Sequence, residues 1–94
     1  MEINDILTLL LVDLNMINPD ENRKNQLIQY INAAISFIKR EGVIFDTPYS
    51  IEDGQLIEMY AAWLFRKRDT TESMPRMLRW ALNNRIFGGN VNVT

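Results

Sequence analysis

The side chains best equipped for chemistry are the carboxylates and the arginines. Two acidic pairs, Asp20-Glu21 and Glu52-Asp53, have the residue type needed for general acid–base work on a sugar. Both pairs sit where helices are expected to begin, and an acidic residue there offsets the positive helix end. Neither belongs to an acidic loop with calcium-binding spacing. A glycosidase also needs a cleft, for which a small helical domain has little room. Gly88-Gly89 has no helix after it to hold a phosphate, and neither GxxxxGK[ST] nor GxGxxG occurs. The sequence contains no Cys and no His. Disulfides, thiolate nucleophiles, Ser-His triads and Cys/His metal sites therefore drop out. The chain is not expected to be an enzyme, and no cofactor or metal is expected.

The arginines point elsewhere. Arg76, Arg79 and Arg85 could be the base readers of a helix-turn-helix. Arg76 and Arg79 share one side at i, i+3, whereas Arg85 falls on another. The formal net charge of −2 has the wrong sign for binding driven by phosphates. A small helical DNA-binding or regulatory module is therefore the alternative reading. Tyr60, Trp63, Phe65 and Trp80 could stack on a ligand, but helical spacing makes core packing the expectation for most of them. Trp63 and Trp80 lie toward the margins of their apolar faces and are candidate interface anchors.

These groups must be positioned by a short chain. Its 94 residues, 47% apolar and 23% charged, fit one globular domain. Residues 1–58 hold ten acidic and four basic side chains, whereas 59–94 hold two acidic and six basic. Such a molecule is bipolar, as head-to-tail association requires. The run Leu9 to Val12 follows Glu2 and Asp5 and stops at Asp13. It reads neither as a secretory signal nor as a membrane span, which needs about 20 apolar residues. A cytoplasmic chain is the expectation.

Four helices are expected. The first covers about Asn4–Leu14 and is rich in Leu. The second is capped by Asn18, with Pro19 at the first helical position and Glu21 completing a capping box; Lys39, Arg40 and Gly42 stop it. Its apolar residues, Tyr30 and Phe37 among them, span an arc of roughly 180°, wider than one packing stripe needs. After a loop over 43–49, Ser50 and Asp53 open a third helix that runs to about Arg68 and is apolar almost all round. Ser73 caps a fourth, with Pro75 in its first turn, which ends at Gly88-Gly89. The remaining Asn90-Val91-Asn92-Val93-Thr94 alternate like a strand with nothing to pair with. The fold class is all-α: a four-helix domain over 1–86 with a long second helix, and an extended arm over 87–94, flexible or docking on a partner.

The order and spacing of these pieces resemble the small helical head–tail connector (adaptor) proteins of long-tailed bacteriophages. The likeness covers roughly Ile6 to Phe87. It rests on Val12-Asp13-Leu14 ending the first helix and on Leu27-Ile28, Ile31, Ala34 and Phe37-Ile38 in the second. Ile57 to Leu64 running into Phe65-Arg66-Lys67-Arg68-Asp69, and Met74-Pro75-Arg76-Met77-Leu78-Arg79 opening the last helix, complete it. Arg40-Glu41-Gly42-Val43 departs from the aromatic-Thr-Gly stretch of many members.

The resemblance implies a structural virion protein of the head–tail junction, present in the host cytoplasm during assembly. It would form a ring, a dodecamer being one candidate size, beneath the portal protein, extend the DNA channel and receive a stopper or tail-completion protein. DNA would pass without specific recognition, and no membrane is involved. Ile86, Phe87, Asn90, Val91, Asn92, Val93 and Thr94 would form the portal-docking arm. Candidate contacts between subunits or with the channel are Tyr30, Phe37, Trp63, Arg66, Lys67, Arg68, Arg76, Arg79 and Trp80.

Overall fold

A computed structural model describes residues 1–91, with side chains as far as Gly88. The protein is all-helical, with helices α1 (Ile3–Asp13), α2 (Glu21–Arg40), α3 (Ile51–Arg66) and α4 (Arg76–Val91) and a short 3₁₀ turn at Lys67–Asp69. No strand occurs among the described residues. The 20 residues of α2 make it the longest element, about 30 Å at 1.5 Å per residue.

Each start has a local cause. At α1 the Glu2 amide donates to Asp5 Oδ2 at 2.8 Å. At α3 Ser50 Oγ accepts from the Asp53 amide at 3.1 Å, as the sequence leads one to expect. Two starts differ from expectation. The N-cap of α2 is Asp20, whose Oδ1 accepts from the Arg23 amide at 2.8 Å, not Asn18. Asn18 instead adopts the left-handed conformation, with φ of 51°. A residue before proline is pushed out of the right-handed helical region, and Asn tolerates the left-handed alternative. The helix accordingly begins two residues later. At α4 the first helical bond runs from the Arg79 amide to the Pro75 carbonyl at 3.0 Å, so Ser73 stays in the connection and caps nothing.

The ends divide in the same way. Gly42, with φ of 103°, receives α2 in the left-handed region, and its amide donates to the Lys39 carbonyl at 3.0 Å. The third helix tightens at Lys67 into the 3₁₀ turn instead of continuing to Arg68. Gly88-Gly89 does not stop α4, which continues to Val91. Gly88 keeps a φ outside the left-handed range, so it lowers helix propensity without breaking the helix. Of the expected arm, Ile86 to Val91 thus continue α4, and Asn92, Val93 and Thr94 lie outside the described residues.

The core is shared by three helices. The broadest contact is between α2 and α3, and α1 packs on both. Ile6 and Leu10 of α1, Leu27, Ile31 and Ile38 of α2, and Ile57 of α3 are fully buried. α4 leans chiefly on α3, through Leu78 and Leu82. It runs back along that helix: Pro75, Met77 and Leu78 border a cleft with Trp63 and Arg66, while Arg85 reaches Asp53 at the opposite end.

Candidate functional site

The outer side of α4 presents three large apolar side chains to solvent. Opposite the buried Leu78 and Leu82, Met77, Trp80 and Phe87 remain 68%, 63% and 63% exposed. At 100° per residue the positions 77, 80, 84 and 87 fall on one stripe, three of the four large and apolar. Arg76 lies at the edge of this stripe and Arg79 about 80° beyond it, both exposed. Neither makes an ion pair among the described residues. Trp80 also walls a groove of about 420 Å³ between α3 and α4, with Leu56, Met59 and Ala81 in it and Glu52 at one end.

Arg85 fixes α4 in place. Its Nε donates to Asp53 Oδ1 at 2.8 Å, and its Nη2 to the Ile44 carbonyl at 2.8 Å and to Asp53 Oδ2 at 3.4 Å. Asp53 is almost wholly buried, at 7% exposure. One arginine thus joins α4, the first turn of α3 and the loop that precedes it. It is not a free reader of base edges.

The basic cluster after α3 also turns inward. Arg66 Nη2 donates to Asp13 Oδ1 at 2.8 Å and to the Asp13 carbonyl at 3.1 Å, closing the end of α1 onto the end of α3. Lys67 Nζ lies 4.3 Å from the centre of the Trp63 ring, and the Arg68 guanidinium 3.7 Å from that of Phe65. Arg23 reaches the same Phe65 ring at 5.5 Å, and Tyr30 meets it edge-on at 5.6 Å. Phe37 stacks on Tyr60 at 6.1 Å beneath Arg40, and Tyr60 meets Trp63 edge-on at 5.5 Å. Among the candidate contacts, Tyr30 and Trp63 are half-buried, Phe37 is 38% exposed, and Trp80 alone among the aromatics of this set stands well out. The wide arc of α2 is therefore largely covered within one subunit, and the well-exposed large apolar side chains lie on α4 and, outside it, at Val12, Ile17, Ile44 and Ile51.

One group escaped sequence reasoning. Glu58 is the only charged side chain between Leu56 and Phe65, and it is buried, facing Asp13 and Arg66. Burial first, then the hydrogen bond to Asp13 and the charge of Asp13, push its carboxyl from 4.5 up to about 8. Asp13 moves the opposite way: the hydrogen bond from Glu58 and then Arg66 hold it below its ordinary 3.8, against the opposing pull of burial. At neutral pH Glu58 is thus held neutral beside a charged Asp13. The signal in the sequence was that lone acid within an apolar helix.

Among the described residues, no group of three or more Asp, Glu, His or Cys could hold a metal ion. No described helix is long and apolar enough to cross a membrane. Compared with protein-family models, with curated proteins and with solved structures, the chain matches none. The site is thus defined by its own chemistry: an outward apolar stripe with an arginine margin, on a helix anchored through Arg85.

Proposed function

We propose that this chain is a structural subunit of a bacteriophage head–tail junction, a connector that assembles as a ring beneath the portal and extends its DNA channel. The observation that carries the reading is the outward stripe of Met77, Trp80 and Phe87 on α4. Three large apolar side chains along one face of a 16-residue helix are costly to leave in water. They are what a subunit presents to a neighbour. The resemblance of helix order and spacing to the phage adaptors adds the particular assembly, and the uneven charge along the chain suits heterologous contacts that close into a ring. The test is to mix the purified protein with rings of its phage's portal protein. A complex is expected, weakened at least tenfold by deletion of residues 87–94. Full binding by the truncated chain would remove the docking-arm role, and no complex with the intact chain would remove the connector reading.

The DNA-binding alternative retains one supporting feature, the exposed Arg76 and Arg79 at i, i+3. Micromolar affinity for duplex DNA that falls steeply with added salt would favour it.

A further inference from the structure

Exposed apolar side chains recur at the two ends of α4, with charge of opposite sign beside them. Near the start of α4 stand Arg76, Met77, Arg79 and Trp80. At the opposite end, where Arg85 grips Asp53 and the Ile44 carbonyl, stand Ile44 and Ile51, 82% and 64% exposed, with the exposed acids Asp46 and Glu52. The residues of α4 include no acid, and neither Asp46 nor Glu52 makes an ion pair among the described residues. Among the described residues, exposed apolar side chains thus stand at both ends of α4, beside unpaired cations at one end and unpaired anions at the other.

We infer that the occupant of this surface is a second copy of the chain, its Arg76–Trp80 end seated on the Ile44–Ile51–Glu52 end of the first. Charge complementarity sets the orientation. Seating like ends together would place Arg76 and Arg79 against their own copies and leave Asp46 and Glu52 unanswered, which costs free energy in a contact that excludes water. Seating unlike ends together brings Arg76 to Glu52. It also covers Met77 and Trp80 with Ile51, Ile44 and the groove whose floor is Leu56 and Met59. The inference rests on the assembly reading above and assigns the surfaces that reading requires.

The absence of native cysteine makes the test direct. Met77→Cys and Ile51→Cys, both at exposed positions, are prepared singly, checked for unchanged melting, mixed at high concentration and oxidised. A mixed Met77→Cys/Ile51→Cys disulfide in at least tenfold excess over either like pair is expected. Arg76→Glu should abolish that excess, and adding Glu52→Arg on the partner copy should restore it. Predominance of like pairs, or no more cross-linking than a control Lys24→Cys on α2, overturns the inference. The double variant Met77→Cys/Ile51→Cys separates the two claims. A ladder beyond two copies supports the ring as well as the contact. Arrest at a dimer supports the contact and contradicts the ring, because an isologous pairing closes on itself.

Discussion

Glu58 and Arg85 perform the two residue-level tasks that the amino-acid order discloses least. Glu58 holds a proton between α1 and α3, and linkage fixes the sign of its effect. Its folded pKa is raised, so its contribution to stability is fully present below about 4.5 and is lost as pH rises toward about 8. Inside that window the folded state binds more of this proton than the unfolded chain does, so stability falls as pH rises, by at most about 1.4 kcal/mol per pH unit. Urea unfolding at pH 5.5, 7 and 8.5 should show the midpoint falling with pH in the natural chain and nearly level in Glu58→Gln, which has no carboxyl to titrate there. Arg85→Ala strands the buried Asp53 and detaches α4 from the loop. With the pair only partly shielded from water, a loss of about 2–3 kcal/mol is expected by chemical denaturation. The double variant Asp53→Asn/Arg85→Met should lose less, because no buried charge is left alone.

At the scale of elements, glycine gives the sharpest comparison. Gly42 lies at φ of 103°, where a Cβ is strained, so Gly42→Ala should lower stability by about 1 kcal/mol. Gly88 lies in a helix with open space where its Cβ would be, so Gly88→Ala should raise stability by up to about 1 kcal/mol. Thermal melts of the two variants should move in opposite directions. Composition could not tell these glycines apart; what separates them is whether the chain has a reason to turn. After Gly42 the buried Val43 pulls the backbone into the core, whereas Gly88 lies inside a helix that runs on to Val91. The four helices, the Ser50 cap and the Gly42 stop were legible because period and cap chemistry are local. The shift from Asn18 to Asp20 was not, since Asn18-Pro19-Asp20 offers two capping side chains and the constraint before proline selects the second. The candidate site was legible in part. Trp80 could be read from its marginal place on the helix face, but the inward turn of Arg66, Lys67, Arg68 and Arg85 depends on partners 53, 4, 3 and 32 residues away.

For the whole molecule, the helices divide the labour. α1, α2 and α3 form most of the core, while α4 closes it with Leu78 and Leu82, packs Ala81 and Ile86 against it, and turns Met77, Trp80 and Phe87 outward. Trp80→Ser should therefore leave thermal stability within about 0.5 kcal/mol of the parent, as expected for a side chain at 63% exposure, while weakening assembly at least tenfold. Leu82→Ala, fully buried on the same helix, should instead cost about 2–4 kcal/mol by chemical denaturation. The most direct measurement of the central claim is co-sedimentation of the chain with rings of the portal protein, comparing the natural sequence with Trp80→Ser. The account predicts a saturable complex for the natural chain and a strongly weakened one for the variant. A natural chain that stays in the supernatant, or a variant that binds equally well, would contradict it.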